Sequence, residues 1–207
     1  MVMHEQNTQS SFDFALPTMT PQSSRFGKDN LFFAVLPDRQ ALDQCLDLQA
    51  WLLREHLPFG SPRPPELLCV SLYSVDHRTR ISDAVVSAAC RAASAIDACQ
   101  FELSFDHVAA FRTPQRNAIA LGGNGGRELL RQLHVRIGIE MQDLGGDSRI
   151  TRDFQPHVAL LDDNETMPRV TLPAPVTIAA REFVLIRDRA GDGVCDYIDR
   201  WPLQASA

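Results

Sequence analysis

The sequence predicts an α+β fold of two pseudo-symmetric lobes, each a mainly antiparallel sheet with helices on its outer side, around a central cleft. Three observations predict it. Segments with the period of two expected of strands are interleaved with segments of helical period. Two strand-like segments echo each other, one in each half of the chain: Glu66 to Tyr73 and Phe154 to Leu160. The C-terminal part reads as successive strands, the last two joined by the turn Ala190-Gly191-Asp192-Gly193, in which Asp-Gly is a strong hairpin signal.

Elements follow in order. Met1 to Lys28 is rich in Ser, Thr, Gln and Pro without sustained period and reads as a flexible tail, leaving 29–207 as the folded domain. Leu31 to Leu36 is a short apolar run, a buried strand. Asp38 opens a helix in which Leu42, Cys45, Leu46, Gln49, Leu52 and Leu53 recur at helical spacing, ending near His56 before Pro58. Phe59 to Pro65 is a rigid proline-bearing loop feeding the first echoed strand. Ser82 or Thr79 caps a second helix, Asp83 to about Ala98. Phe101 to Phe105 and Asn117 to Leu121 form an antiparallel pair with a long connection containing Phe111-Arg112-Thr113-Pro114. Gly122-Gly123-Asn124-Gly125-Gly126 lacks the lysine and the spacing of a phosphate loop and reads as a mobile turn. A third helix runs from Arg127 to about Leu144, with Leu130, Leu133, Ile137 and Met141 on one face, and Gly145-Gly146 stops it. Asp162 to Pro175 is a long loop, followed by strands at Val176 to Ala179, Arg181 to Arg187 and Val194 to Pro202. His56 fits a helix end, His134 a satisfied, partly buried position, and His77 and His107 polar loops.

Composition narrows the function. The chain has 207 residues, 44% apolar and 22% charged, ordinary for a soluble domain. A net charge of -6 argues against a sequence-blind nucleic-acid coat, yet leaves room for local arginines to hold one RNA end or a small nucleotide. The cysteines Cys45, Cys69, Cys90, Cys99 and Cys195 are odd in number and lack metal spacing, as expected of reduced thiols in the cytoplasm. No apolar leader or membrane-length run is visible, so a soluble, cytoplasmic monomer is expected.

The chemistry concentrates in the echo. In Phe154-Gln155-Pro156-His157-Val158-Ala159-Leu160, alternation sets His157, Ala159 and Leu161 on one face and Val158 and Leu160 on the other. The latter face is core. The former carries one imidazole, with Arg149 and Arg152 just upstream to supply positive charge. Earlier, Cys69, Ser71 and Tyr73 share a face, and Cys69-Val70-Ser71-Leu72 superposes on His157-Val158-Ala159-Leu160. Two such strands suggest an internal duplication whose polar faces meet in one cleft.

The pair resembles the twin His-x-Thr/Ser-Leu motifs of the two-histidine (2H) phosphoesterases, and most of all their LigT-like branch of 2′-5′ RNA ligases and RNA 2′,3′-cyclic phosphodiesterases. Asn30-Leu31-Phe32-Phe33-Ala34-Val35-Leu36-Pro37, Glu182-Phe183-Val184-Leu185-Ile186 and Tyr197-Ile198-Asp199-Arg200-Trp201-Pro202-Leu203 extend the likeness over roughly Asn30 to Leu203. It departs in two places: Cys69 stands where the first histidine belongs, and Ala159 where the second hydroxyl belongs.

The resemblance implies hydrolysis of a 2′,3′-cyclic phosphate, on an RNA end or a small cyclic nucleotide, to a 2′-phosphate, without metal or other cofactor. His157 and Cys69 take the two catalytic positions. Ser71 keeps a phosphate-contacting hydroxyl, and Ala159 occupies the equivalent place without one. Tyr73 and Phe32 either line the cleft, where a ring stacks on a base, or belong to the core. Cys69 is either a small buried residue or, with its pKa drawn down by His157 and an arginine, a base. Losing one proton-transfer group lowers activity by about 10²- to 10⁴-fold. His77 and His107 are candidate substitutes for it, although the sequence does not place them in the cleft and a surface or structural role is favoured for each. The alternative is a degenerate module that binds a nucleotide or RNA-end phosphate without turning it over.

Overall fold

The computed structural model describes residues 27–57, 60–112, 117–145, 150–151, 154–163, 167–189 and 194–205. Residues 1–26 of the expected tail and the Ala190–Gly193 turn lie outside the described residues, as do Arg149 and Arg152. Among the described residues no helix is long and apolar enough to cross a membrane.

The chain is α+β. In order it forms β1 (Asp29–Val35), α1 (Arg39–Glu55), β2 (Ser61–Pro62), β3 (Val70–Arg78), α2 (Asp83–Ser94), β4 (Phe101–Arg112), β5 (Asn117–Gly122), α3 (Arg127–Asp143), β6 (His157–Asp162), β7 (Val170–Ala180), β8 (Glu182–Arg189) and β9 (Val194–Pro202). Pro64 and Pro65 turn the expected start of β3 into a short 3-10 turn, Pro65–Leu67, because a proline cannot donate to a ladder. Asp38 caps α1 by accepting from the Ala41 N–H at 2.9 Å. Gly126 starts α3 at φ +73°, and a Cβ there would lie 2.0 Å from the Glu102 carbonyl oxygen, so only glycine fits. The glycine run is therefore a packed turn, with Gly125 bridged to Ser104.

Two separate sheets were expected; the strands instead form a single nine-stranded sheet, ordered β7-β4-β5-β6-β3-β1-β8-β9, with β2 on β6. All strand pairings are antiparallel. The halves β7-β4-β5-β6 and β3-β1-β8-β9 join through one residue pair, Val70 with Val158. These are equivalent positions of the echoed motifs. The helices cross it: α1, which follows β1, packs on β6 and β7, and α3, which follows β5, packs on β3. Their buried faces share one core with Val70, Leu72, Val158 and Leu160.

The halves also share a defect. Between β1 and β3 the register slips so that Ala34 faces Ser71 and Phe33 faces Tyr73, leaving Leu72 extra. Between β5 and β6 it slips at the same motif position: Ala120 faces Ala159, Ile119 faces Leu161, and Leu160 is extra. A bulge reverses the alternation beyond it. Tyr73 therefore turns into the core, 2% exposed and with its ring 5.5 Å from His134, rather than lining the cleft. Leu161 likewise joins the core instead of sharing the face of His157.

Behind the seam, the buried Gln49 on α1 donates through Nε2 to the carbonyls of Arg63 (2.8 Å) and Leu160 (2.7 Å). Gln49→Leu keeps the volume but removes both bonds. The expected cost is about 1–3 kcal/mol, read as a lower urea midpoint at unchanged slope.

Candidate functional site at the seam

An antiparallel pair at Val70 and Val158 has a definite consequence for the opposite face. Extended one residue each way, it sets Ser71 beside His157 and Cys69 beside Ala159, all four on the side away from the helices. Ser71 is exposed, and His157 and Ala159 are half-buried.

His157 is held in one tautomer. Its Nδ1 lies 3.0 Å from the Gln155 carbonyl, which can only accept, so Nδ1 carries the hydrogen and Nε2 keeps its lone pair. The ring stacks on Phe111, centroids 5.0 Å apart at 18°. Burial lowers its pKa, and the Arg63 charge lowers it further, against the Gln155 bond. The ring is thus a neutral acceptor at pH 7.

Cys69 has the opposite character. It is 5% exposed in a small apolar cluster with Phe32, Ala34, Val184 and Ile186. Burial, reinforced by Cys195, pushes its thiol up to about 12, although Arg63 pulls the other way. A thiolate base at this position requires the reverse shift; of the two readings of Cys69, its surroundings favour the small buried residue, because desolvation outweighs the nearby cation. Phe32 faces the same cluster at 6% exposure and offers a bound base little ring surface. Tyr197, on β9, bonds the Glu66 carbonyl at 3.0 Å beside this cluster.

Sequence reasoning missed one cleft feature, Arg63, and named another, His107, without placing it. Arg63 sits in the proline-bearing loop, its side chain 15% exposed and paired with Asp162 at 3.1 Å. Its charge is felt by both Cys69 and His157. The only signal was its place just before the first motif. The other is His107. β4 runs on to Arg112 instead of ending near Phe105, and its pairing with β7 breaks between Phe105 and His107. Leu103 and Phe105 enter the core, and so does Val108. The alternation thus slips at Asp106, and His107 emerges opposite the core. It pairs with Gly122, which pairs in turn with His157.

Beyond His107 lies a pocket of about 260 Å³, walled by His107, Phe111, Asn124, Arg127, Gln155 and Arg169. Among the described residues no three His, Cys, Asp or Glu side chains are grouped to hold a metal ion.

No family model matches the sequence, and no curated protein matches it. Solved structures do match in fold. E. coli LigT in its apo form superposes with a TM-score of 0.65 at 24% identity, over 86% of this chain and 99% of that one. E. coli LigT complexed with 3′-AMP gives 0.65 at 24% over the same shares. The protein TT0787 of Thermus thermophilus gives 0.66 at 16%, over 86% of this chain and 100% of that one. The fold is LigT-like.

Proposed function

We propose that this chain is a 2H-type phosphoesterase that hydrolyses 2′,3′-cyclic phosphates, on RNA ends or small nucleotides, to 2′-phosphates. The observation that carries the reading is His157 on the open face of the seam, fixed as an Nε2 acceptor, with the Ser71 hydroxyl beside it and Arg63 in reach. Water is deprotonated by Nε2 of His157 as its oxygen bonds to phosphorus, and the ribose 3′ oxygen leaves and takes up a proton. Ser71 and Arg63 hold the phosphoryl oxygens. Ala159 gives no hydroxyl and only widens the floor. A small phosphate-bearing ligand agrees with the 3′-AMP and phosphate complexes of the structural neighbour. The protein acts as a monomer in the cytoplasm, without a cofactor.

The sealed, neutral thiol of Cys69 favours a second reading, a module that binds phosphate without turnover. One experiment separates them: purified protein with 2′,3′-cyclic AMP, products resolved by chromatography, alongside calorimetry with adenosine 2′-monophosphate. Accumulating 2′-phosphate supports the enzyme; binding without product supports the module. Neither product nor heat would overturn both.

A further inference from the structure

The seam supplies one imidazole, yet cyclic-phosphate hydrolysis calls for a group on each side of phosphorus. Cys69, neutral and enclosed, is poorly suited to be the other. Among the described residues, the imidazole on this face that lies in line with His157 is that of His107. Directly opposed residues of antiparallel strands project to the same side, so His107, Gly122 and His157 form a row across β4, β5 and β6. Two strand spacings put the histidine backbones about 10 Å apart. Glycine in the middle leaves room for the rings on either side: a Cβ on Gly122 would lie 2.8 Å from Nε2 of His107 and 2.9 Å from Cζ of Phe111, the ring that stacks on His157.

His107 is also oriented. Its Nδ1 lies 2.5 Å from Oδ1 of Asp106, with Arg169 3.6 Å from the same oxygen. A carboxylate at Nδ1 leaves Nε2 as the atom that exchanges protons over Gly122. The two rings thus differ: one nitrogen of His157 meets a neutral carbonyl, one nitrogen of His107 an anion. Arg127 and Arg169 bring positive charge to the pocket wall next to His107.

We propose that His107 is the second proton-transfer residue of the site, replacing Cys69. The inference rests on the phosphoesterase reading. In the reaction His157 takes a proton from water as the oxygen–phosphorus bond forms. His107, protonated at Nε2, gives its proton to the ribose 3′ oxygen as the bond from that oxygen to phosphorus breaks. Both rings return to their starting states by proton exchange with solvent.

The test has two arms. In the first, His107→Gln, Gly122→Ala and the remote control His77→Gln are assayed on 2′,3′-cyclic AMP, with folding checked by circular dichroism. His107→Gln is expected to lower kcat by about 10²- to 10⁴-fold. Gly122→Ala, which pushes aside the His107 ring and the Phe111 ring that stacks on His157, should lower it by up to about 10²-fold, and the control should leave it unchanged. The second arm needs no turnover and no variant. Long-range proton–nitrogen spectra of the wild-type imidazoles are followed while adenosine 2′-monophosphate is added. Shifts of Nε2 in both His107 and His157 with one midpoint are expected. Wild-type hydrolysis that survives His107→Gln, or a ligand that moves His157 alone, overturns the assignment but spares the function. Absence of both product and shifts overturns both.

Discussion

His157→Ala is expected to lower kcat on 2′,3′-cyclic AMP by about 10²- to 10⁴-fold, the usual worth of a positioned acid or base, or roughly 3–5 kcal/mol at about 1.4 kcal/mol per decade. The ring is half-buried and stacked on Phe111, so some stability is lost too. His157→Gln is the sharper variant, because it keeps volume and polarity but cannot take up a proton. A rate for His157→Gln within threefold of wild type would remove the imidazole from the mechanism. The pH profile adds a sign. His157 is pushed below the ordinary imidazole range, first by burial, so its basic form persists as pH falls through neutrality. The acidic limb of kcat/KM should therefore lie below pH 6.5, the usual imidazole value.

The second large effect concerns stability. His134 on α3 is 3% exposed and fully engaged: Nδ1 donates to the Leu72 carbonyl at 2.7 Å, and Nε2 accepts from the Thr151 N–H at 2.9 Å. The ring stacks on Phe154 with centroids 4.8 Å apart. One side chain thus ties the bulge of β3 to the segment that leads into His157. His134→Ala removes both bonds and leaves a void, at an expected cost of roughly 2–4 kcal/mol, measured by urea denaturation. Only the neutral ring fits, since a proton on Nε2 would confront the Thr151 N–H. Its folded pKa is lowered, chiefly by desolvation. The unfolded ring titrates near the ordinary value of about 6.5. Its contribution is thus complete above pH 6.5 and is lost as pH falls through the lower folded value. His157 adds to the same slope, so the decisive comparison is with His134→Gln, whose thermal midpoint should fall less between pH 7.5 and pH 5. An equal fall would mean that His134 carries none of it.

What could be read from the sequence was whatever kept a clean period. The three helices lie close to where Leu52, Ala89, Leu130 and their partners recur, and β1 and β6 follow from short apolar runs. The echo between Val70 and Val158 became the seam itself. What escaped was whatever a bulge displaced. Period-two reasoning carries one phase along a whole strand, so Leu72 and Leu160 each falsified the residue after it: Tyr73 and Leu161 went to the wrong face. The slip at Asp106 was costlier, because it cut β4 short and left His107 in a supposed loop. Arg63 was hidden by prolines that announce a turn and say nothing of where a side chain reaches. Burial of Cys69 depends on Val184, Ile186 and Cys195, more than a hundred residues away, and no local pattern carries that.

The exchange of α1 and α3 across the seam means that the halves cannot be separated by cutting the chain between them. A fragment ending after α2 would hold β3 without the α3 that covers it, and would carry an α1 whose partners, β6 and β7, are missing. Neither piece encloses an interior of its own. Native burial comes only after segments distant along the chain have met, which makes assembly slow and all-or-none. The two halves of the sheet are interlocked through the helices and share one core.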